Sequence, residues 1–216
     1  MVDMLRRRKR RHAVDSMMES ALLYAEMGWP VVRGAAPGED RACTCDRIGC
    51  PAPAAHPVTA AWGVEASTDA DTIRRWWAAD PHANVVLPTG RVFDVFDVPR
   101  AAGVMALTRV GRAGLPAGPV ASVEDRYLFF VATRSSVDED EWWSCRLDCV
   151  PETVDEMPGL RWHCRDSYVL GAPSALSPGG RVTWIRNPRA DEGQVVLPDP
   201  IAVLDILSDT SEEFAD

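Results

Sequence analysis

Asn84-Val85-Val86-Leu87-Pro88-Thr89-Gly90-Arg91-Val92-Phe93-Asp94-Val95-Phe96-Asp97-Val98 holds two runs rich in β-branched and aromatic residues, 84–88 and 92–98, joined through Thr89-Gly90. Such side chains fit a pleated, half-buried surface, and a Thr-Gly pair suits a tight connection, so the stretch predicts two adjacent strands. Two acids interrupt the second run, Asp94 and Asp97. Strand side chains alternate with period two, so acids three apart lie on opposite faces unless a bulge intervenes.

Upstream, Met18, Ala21, Leu22 and Ala25 recur at helical spacing from Asp15 onward, and Gly28 closes the helix as a C-terminal cap would. Trp29 to Val32 reads as a short buried strand. Gly34 to Gly63 is rich in Pro, Ala and Gly without usable periodicity, which predicts a long loop. Thr68 with Asp71 resembles a capping box, and Ile73, Trp76 and Trp77 follow at helical spacing until Pro81, giving a helix over 69–79.

Downstream, Gly103 to Arg112 looks helical. Pro119–Val123 and Tyr127–Ala132 return to strand character around a Glu124-Asp125-Arg126 turn. Asp138 can cap a helix running to Cys149, and Tyr168–Ala172 and Val182–Ile185 are further strand candidates separated by Pro-Ser and Pro-Gly-Gly signals. Ile201 to Leu207 predicts a last short helix before an acidic stretch, Asp205 to Asp216, expected to fray. Helix and strand mix throughout, which is an α+β pattern. The expected organisation is a basic arm at 1–14, a single domain at 15–208 with the 34–63 loop as an insertion, and an acidic tail at 209–216.

The chain has 216 residues, 46% of them hydrophobic and 25% charged, enough to bury a core and far from a disordered composition. No apolar run approaches the ~20 residues needed to cross a bilayer, and the first residues lack a secretory signal, so the cytoplasm is expected and a membrane role is not. The net charge is −9, although Arg6, Arg7, Arg8, Lys9, Arg10 and Arg11 concentrate six cations near one end. An acidic body disfavours a broad embrace of a phosphate backbone, whereas a basic arm still supplies local contacts.

A loop of about thirty residues needs function or a cross-link to offset its ordering entropy. This one carries Cys43, Cys45, Cys50 and His56, a C-x-C-x4-C-x5-H arrangement within fourteen residues. Three thiolates and an imidazole would complete a closed tetrahedral shell around zinc, which predicts a structural ion that pins the loop. The alternative is unpaired surface cysteines. Cys145 and Cys149, four apart on a predicted helix, could form a second site with His163 and Cys164; ordinary core packing is the simpler account of these cysteines.

The order of segments carries a resemblance: Ala21-Leu22-Leu23-Tyr24-Ala25, Gly28-Trp29-Pro30-Val31, Thr68-Asp69 with Ile73 and Trp76-Trp77, Asn84-Val85 to Thr89-Gly90, Phe96-Asp97-Val98, and Ala172-Pro173-Ser174 with Trp184 downstream. Over about 20–187 the chain resembles the bifunctional DNA primase/polymerase N-terminal (Prim-Pol) domain, and in particular a compact actinobacterial branch with a cysteine-rich loop after the first strand. The resemblance implies an RRM-like mixed sheet with flanking helices, the zinc-pinned loop inserted into it. It further implies nucleotidyl transfer by two metal ions held on acids, with a histidine near the incoming triphosphate. Metals there stabilise the attacking and leaving oxygens.

On that resemblance, the acid pair ending a strand falls on Asp97, Val98 and Pro99, so proline stands in place of the second acid. The histidine position falls on Tyr127 and a third acid on Arg161. The family's position for catalysis is then Asp97 alone. The expected function is a primase/polymerase-like domain that binds nucleic acid or nucleotides through Arg126, Tyr127, Arg161 and the basic arm, with catalysis vestigial. Two alternatives stand beside it. One is an active nucleotidyltransferase using magnesium or manganese on Asp97, with Asp94 or Asp166 recruited. The other is a regulatory interaction module presenting the Trp76-Trp77 and Trp142-Trp143 pairs, one member of each pair being core.

Overall fold

The structure, a computed structural model, describes residues 17–38, 42–45, 47–133, 159–189 and 195–214. The basic arm, the predicted 138–149 helix with Cys145 and Cys149, and the Trp142-Trp143 pair lie outside the described residues. The α+β class is observed, with two sheets in which the strands assigned below pair antiparallel. No helix among the described residues is long and apolar enough to cross a membrane.

The chain divides into two compact units, the first drawn from residues up to Pro88 together with Leu170–Val182 and the second from Thr89–Val169 together with Thr183 onward. In the first unit, helix α1 (17–26) buries Met17, Ala21 and Tyr24, a stripe at helical spacing. Its buried face is thus set by the tyrosine rather than by Met18 and Leu22, because Tyr24 stacks on Trp29 at 6.0 Å and its hydroxyl donates to the Ala172 carbonyl at 2.6 Å. Strand β1 (Val32–Gly34) starts later than the sequence suggests and pairs antiparallel with β2 (Asn84–Pro88). β2 is buried along its whole length and sits between β1 and β7 (Tyr168–Leu170).

The described residues between 35 and 61 contain no regular element, as the composition predicts, and a short helix α2 (Trp62–Glu65) follows. Helix α3 (Ala70–Ala79) is capped by Asp69, not Thr68: its carboxylate accepts from the Thr72 amide at 2.7 Å. α3 buries Ile73 and Trp77, and the Trp77 indole donates to Ala83 O at 2.9 Å. Trp76 stays partly exposed beneath the Arg33 guanidinium, 5.9 Å from its ring.

The second unit is a five-stranded sheet in the order β6-β3-β5-β4-β8, comprising β3 (Phe93–Pro99), β4 (Val120–Val123), β5 (Arg126–Ala132), β6 (Arg161–His163) and β8 (Thr183–Arg186). β2 and β3, expected to be neighbours, therefore belong to different sheets. The buried, β-branched and aromatic character of both runs fits a strand at the centre of either sheet, so it does not name the partner. Thr89-Gly90 serves another end: Thr89 Oγ1 donates to Cys164 O at 2.5 Å, and Thr89 N to Ser167 O at 3.0 Å. Gly90 has φ +77°, and an added Cβ would lie 2.2 Å from the Arg165 Cα, so the backbone of the 164–167 turn rests directly on the glycine.

Side chains of β3 alternate between faces. Phe96 and Val98 join Phe129, Val131 and Val120 in a core with helices α4 (Arg100–Arg112) and α5 (Pro200–Glu213), which contribute Ala102, Ala106, Val203 and Leu207. The acidic segment does not fray: Asp199 caps α5 by accepting from the Ile201 and Ala202 amides, and the helix continues through residues 205–213. Thr210 and Ser211 are buried, and Glu213 forms an ion pair with Arg109 of α4.

Candidate functional site

In the second unit, strand register brings one acid and three basic side chains to the face opposite the two helices. Asp97 pairs directly with Arg161 across β3 and β6. His163 stands opposite Val95, and Arg126 opposite Pro99, so both are diagonal neighbours of Asp97 on the same face. The β3–β5 register is one to one from Phe93 to Pro99, without a bulge, which leaves Asp94 on the other face.

The Asp97 carboxylate is nearly inaccessible, its side chain 7% exposed. Arg126 Nε donates to Oδ1 at 2.5 Å, and Arg126 Nη2 donates to Asp97 O at 3.0 Å and Gly159 O at 2.5 Å. Arg126, 17% exposed, thus spends its donors on the strand and on the carboxylate beside it. Oδ2 faces His163 Nε2 at 3.6 Å and Arg161 Nη1 at 3.8 Å, both longer than hydrogen bonds. His163 is 12% exposed, with Nδ1 3.2 Å from Ser167 Oγ in the turn that Thr89 and Gly90 hold. Arg161 is the open member, 42% exposed.

The residues expected to meet here do so only in part. Asp97, Arg126 and Arg161 converge. Tyr127 does not: as the neighbour of Arg126 on a strand it faces the other way, packed into the helix side, where a Cβ on Gly103 of α4 would come within 2.7 Å of its ring. The position at which the resemblance puts a histidine is thus a core tyrosine. His163, which the sequence offers only as a ligand partner of Cys145 and Cys149, joins the site instead; the signal for its placement is the Arg161-Trp162-His163 alternation, which turns both basic groups to one face while Trp162 packs near Phe96 at 6.2 Å. Asp166, considered as a recruited acid, lies in the 164–167 turn with φ +61°.

Catalytic divalent ions such as magnesium take oxygen ligands, commonly several carboxylates. Among the described residues, the donor set around Asp97 is one carboxylate hydrogen-bonded to a guanidinium, with a second guanidinium and an imidazole beside it and Pro99 two positions further along the strand. Gly159, at φ +73°, packs so close to the Pro99 ring that an added Cβ would meet Cγ at 2.8 Å. This donor set does not fit a pair of divalent ions.

The first unit carries the other cluster. Sγ of Cys43, Cys45 and Cys50 and a ring nitrogen of His56 all lie within 4.8 Å of one another, a set that could hold a metal ion. His56 Nδ1 is 2.7 Å from Pro57 O, which makes it the protonated nitrogen and leaves the Nε2 lone pair toward Cys43 Sγ at 3.4 Å. Burial alone would raise the Cys43 thiol, but hydrogen bonds from the Ala54 and Cys45 amides, then the Cys45 and His56 side chains, outweigh it and bring it from 9.0 to about 6. The Arg47 amide would lower Cys45, yet the Cys43 thiol, desolvation and Cys50 together raise it. One thiolate is therefore favoured before any ion binds, and a bound cation would favour the rest.

Asn84 fastens this loop to β2. Fully buried, its amide Nδ2 reaches Ala35 O and Ala54 O at 2.8 Å and Ala175 O at 2.7 Å, while Oδ1 accepts from Ala175 N at 2.9 Å. The Ala35 amide in turn donates to His56 O at 2.8 Å. The ligand loop is thus anchored at residues close to its ligands.

Fold and site define an α+β protein with a charged centre on the middle strands of an antiparallel sheet. Residues 21–204 match the family described as bifunctional DNA primase/polymerase, N-terminal, and the chain belongs to that family. Comparison with the curated proteins gave no match.

Proposed function

We propose that this chain is a nucleic-acid- or nucleotide-binding member of the primase/polymerase family in which phosphate recognition persists and metal-dependent nucleotidyl transfer does not. One observation carries the reading: the Asp97 carboxylate is held by Arg126 at 2.5 Å, with His163 and Arg161 on its remaining oxygen at 3.6 and 3.8 Å. Side-chain cations occupy the surroundings that catalytic metals require. A divalent ion about 4 Å from each fixed positive charge would be repelled by several kcal/mol at an effective dielectric of about 20.

Arg161 and Arg126 are the guanidinium groups beside Asp97, the first open to contact and the second supporting it; the basic arm supplies further cations. The Cys43, Cys45, Cys50 and His56 set holds zinc, a structural ion with a closed shell that leaves no position for substrate. The cytoplasm, where such thiols stay reduced, is the compartment this chemistry suits.

Two measurements test the reading. Purified protein with a primed or unprimed template and deoxynucleotides should yield no product in magnesium or manganese, while single-stranded DNA should bind at low salt and release as salt rises. Product that disappears in Asp97→Ala would establish the active enzyme instead. Metal analysis should find about one zinc per chain, lost in Cys45→Ser.

A further inference from the structure

We infer that the Asp97 centre binds a terminal phosphate group directly, with no divalent ion between ligand and protein, through Arg161 and His163. This rests on the functional reading above and goes beyond it, because the family scheme delivers a triphosphate together with metal.

The argument begins with charge. Arg126 and Asp97 neutralise one another, and the main-chain oxygens of Asp97 and Gly159 take up further Arg126 donors. Arg161 then adds a full positive charge on the same face, and its approach to Asp97 at 3.8 Å is an ion-pair distance outside hydrogen-bond range. A guanidinium has five N–H donors in a planar fork matched to phosphate oxygens. His163 presents Nε2 to the same space, its ring held from behind by Ser167. An excess cation and an oriented imidazole beside an already satisfied ion pair form a receptor for an anion.

The geometry also ranks the members. Arg161, on the edge strand β6 and 42% exposed, can swing to a ligand without disturbing the sheet. Arg126 cannot, because moving it would strand a buried carboxylate. Arg161 and His163 therefore make the contacts, and the Arg126–Asp97 pair is their fixed support. Asp97 itself acts against the ligand, since its negative charge repels phosphate. In a metal site the same carboxylate would be indispensable, so the sign of its substitution separates the two modes.

The ligand could be a free nucleoside triphosphate or the 5′-phosphate of a strand, which share this chemistry. The test titrates the full-length chain by calorimetry with a nonhydrolysable deoxynucleoside triphosphate and, separately, with single-stranded oligonucleotides bearing a 5′-phosphate or a 5′-hydroxyl. Each titration is run in EDTA and in excess magnesium. The expected result is binding in EDTA at least as tight as in magnesium, for the triphosphate or for the 5′-phosphorylated strand over its hydroxyl counterpart. The two arms identify the source.

Arg161→Gln should weaken that binding at least about tenfold, as expected for losing a charged hydrogen bond. Asp97→Asn, which keeps an oxygen for Arg126, should tighten it. Binding that appears only with magnesium, an unaltered affinity in Arg161→Gln, or a loss in Asp97→Asn protein whose circular dichroism matches the parent would each overturn the inference. Absence of any EDTA-resistant phosphate binding alongside salt-sensitive DNA binding would overturn it while leaving the functional reading intact; templated product would overturn that reading first.

Discussion

At the scale of single residues, the burial of Asp97 and the placing of Arg126 beside it belong together. A buried carboxylate needs a cation, whether an ion or a side chain, and here the side chain is bonded to it. Arg126→Ala should therefore destabilise the protein by about 3–5 kcal/mol in urea unfolding, whereas the double variant with Asp97→Asn should cost clearly less than the two single changes added, because no buried charge is left behind. Strict additivity would show that the pair is not coupled. Gly90→Ala should be severely destabilising, since its Cβ would collide with Arg165 backbone at a positive φ; a near-wild-type melting temperature would contradict the close packing of the 164–167 turn. The family resemblance points to Asp97, Arg126 and Arg161, but not to their company. Which residues share a face depends on register between strands about thirty or more positions apart, so no local pattern separates Tyr127 from the basic groups or joins His163 to them.

At the scale of elements, caps and loops show what local pattern can and cannot reveal. Asp69 takes the capping role at α3, and hydrogen bonding to Thr72 together with Arg75 and Arg74 holds its carboxyl below the ordinary value of 3.8. A carboxyl lowered on folding adds stability that is complete above its unfolded pKa and is lost as pH falls through the folded one. Asp69→Asn keeps the capping oxygen without the charge, so the stability gap between parent and variant should be present at pH 7 and close as the solution is acidified below the ordinary carboxylate range. A gap that stays constant with pH would remove the charge from the account. The helix over 69–79 and the gathering of Cys43, Cys45, Cys50 and His56 were legible because their signals lie within about fifteen residues, and the long loop because its composition lacks periodicity. The long α5 was not: its acidic composition suggested fraying, while burial of Leu207, Thr210 and Ser211 and the Arg109–Glu213 pair come from tertiary contact. The β2 and β3 runs were legible as strands and illegible as partners, because apolarity marks burial without naming the neighbour.

At the scale of the whole molecule, a net charge of −9 sets how nucleic acid can be held. If the sheet site alone meets the strand, about two phosphates are neutralised and log K for single-stranded DNA should fall with log salt at a slope near −1 to −2; engagement of the six cations at positions 6–11 should steepen it to about −4 or beyond. Comparing the full chain with one lacking residues 1–14 measures that difference, and equal slopes would exclude the arm from binding. The Asn84 clasp has a consequence of a different kind. Three carbonyl oxygens converge on one carboxamide nitrogen, so hydrolysis of that amide, the commonest spontaneous lesion of asparagine, would aim an anionic oxygen at all of them. Protein ageing would then act at one atom, opening the cysteine loop from behind while every thiol remained chemically untouched.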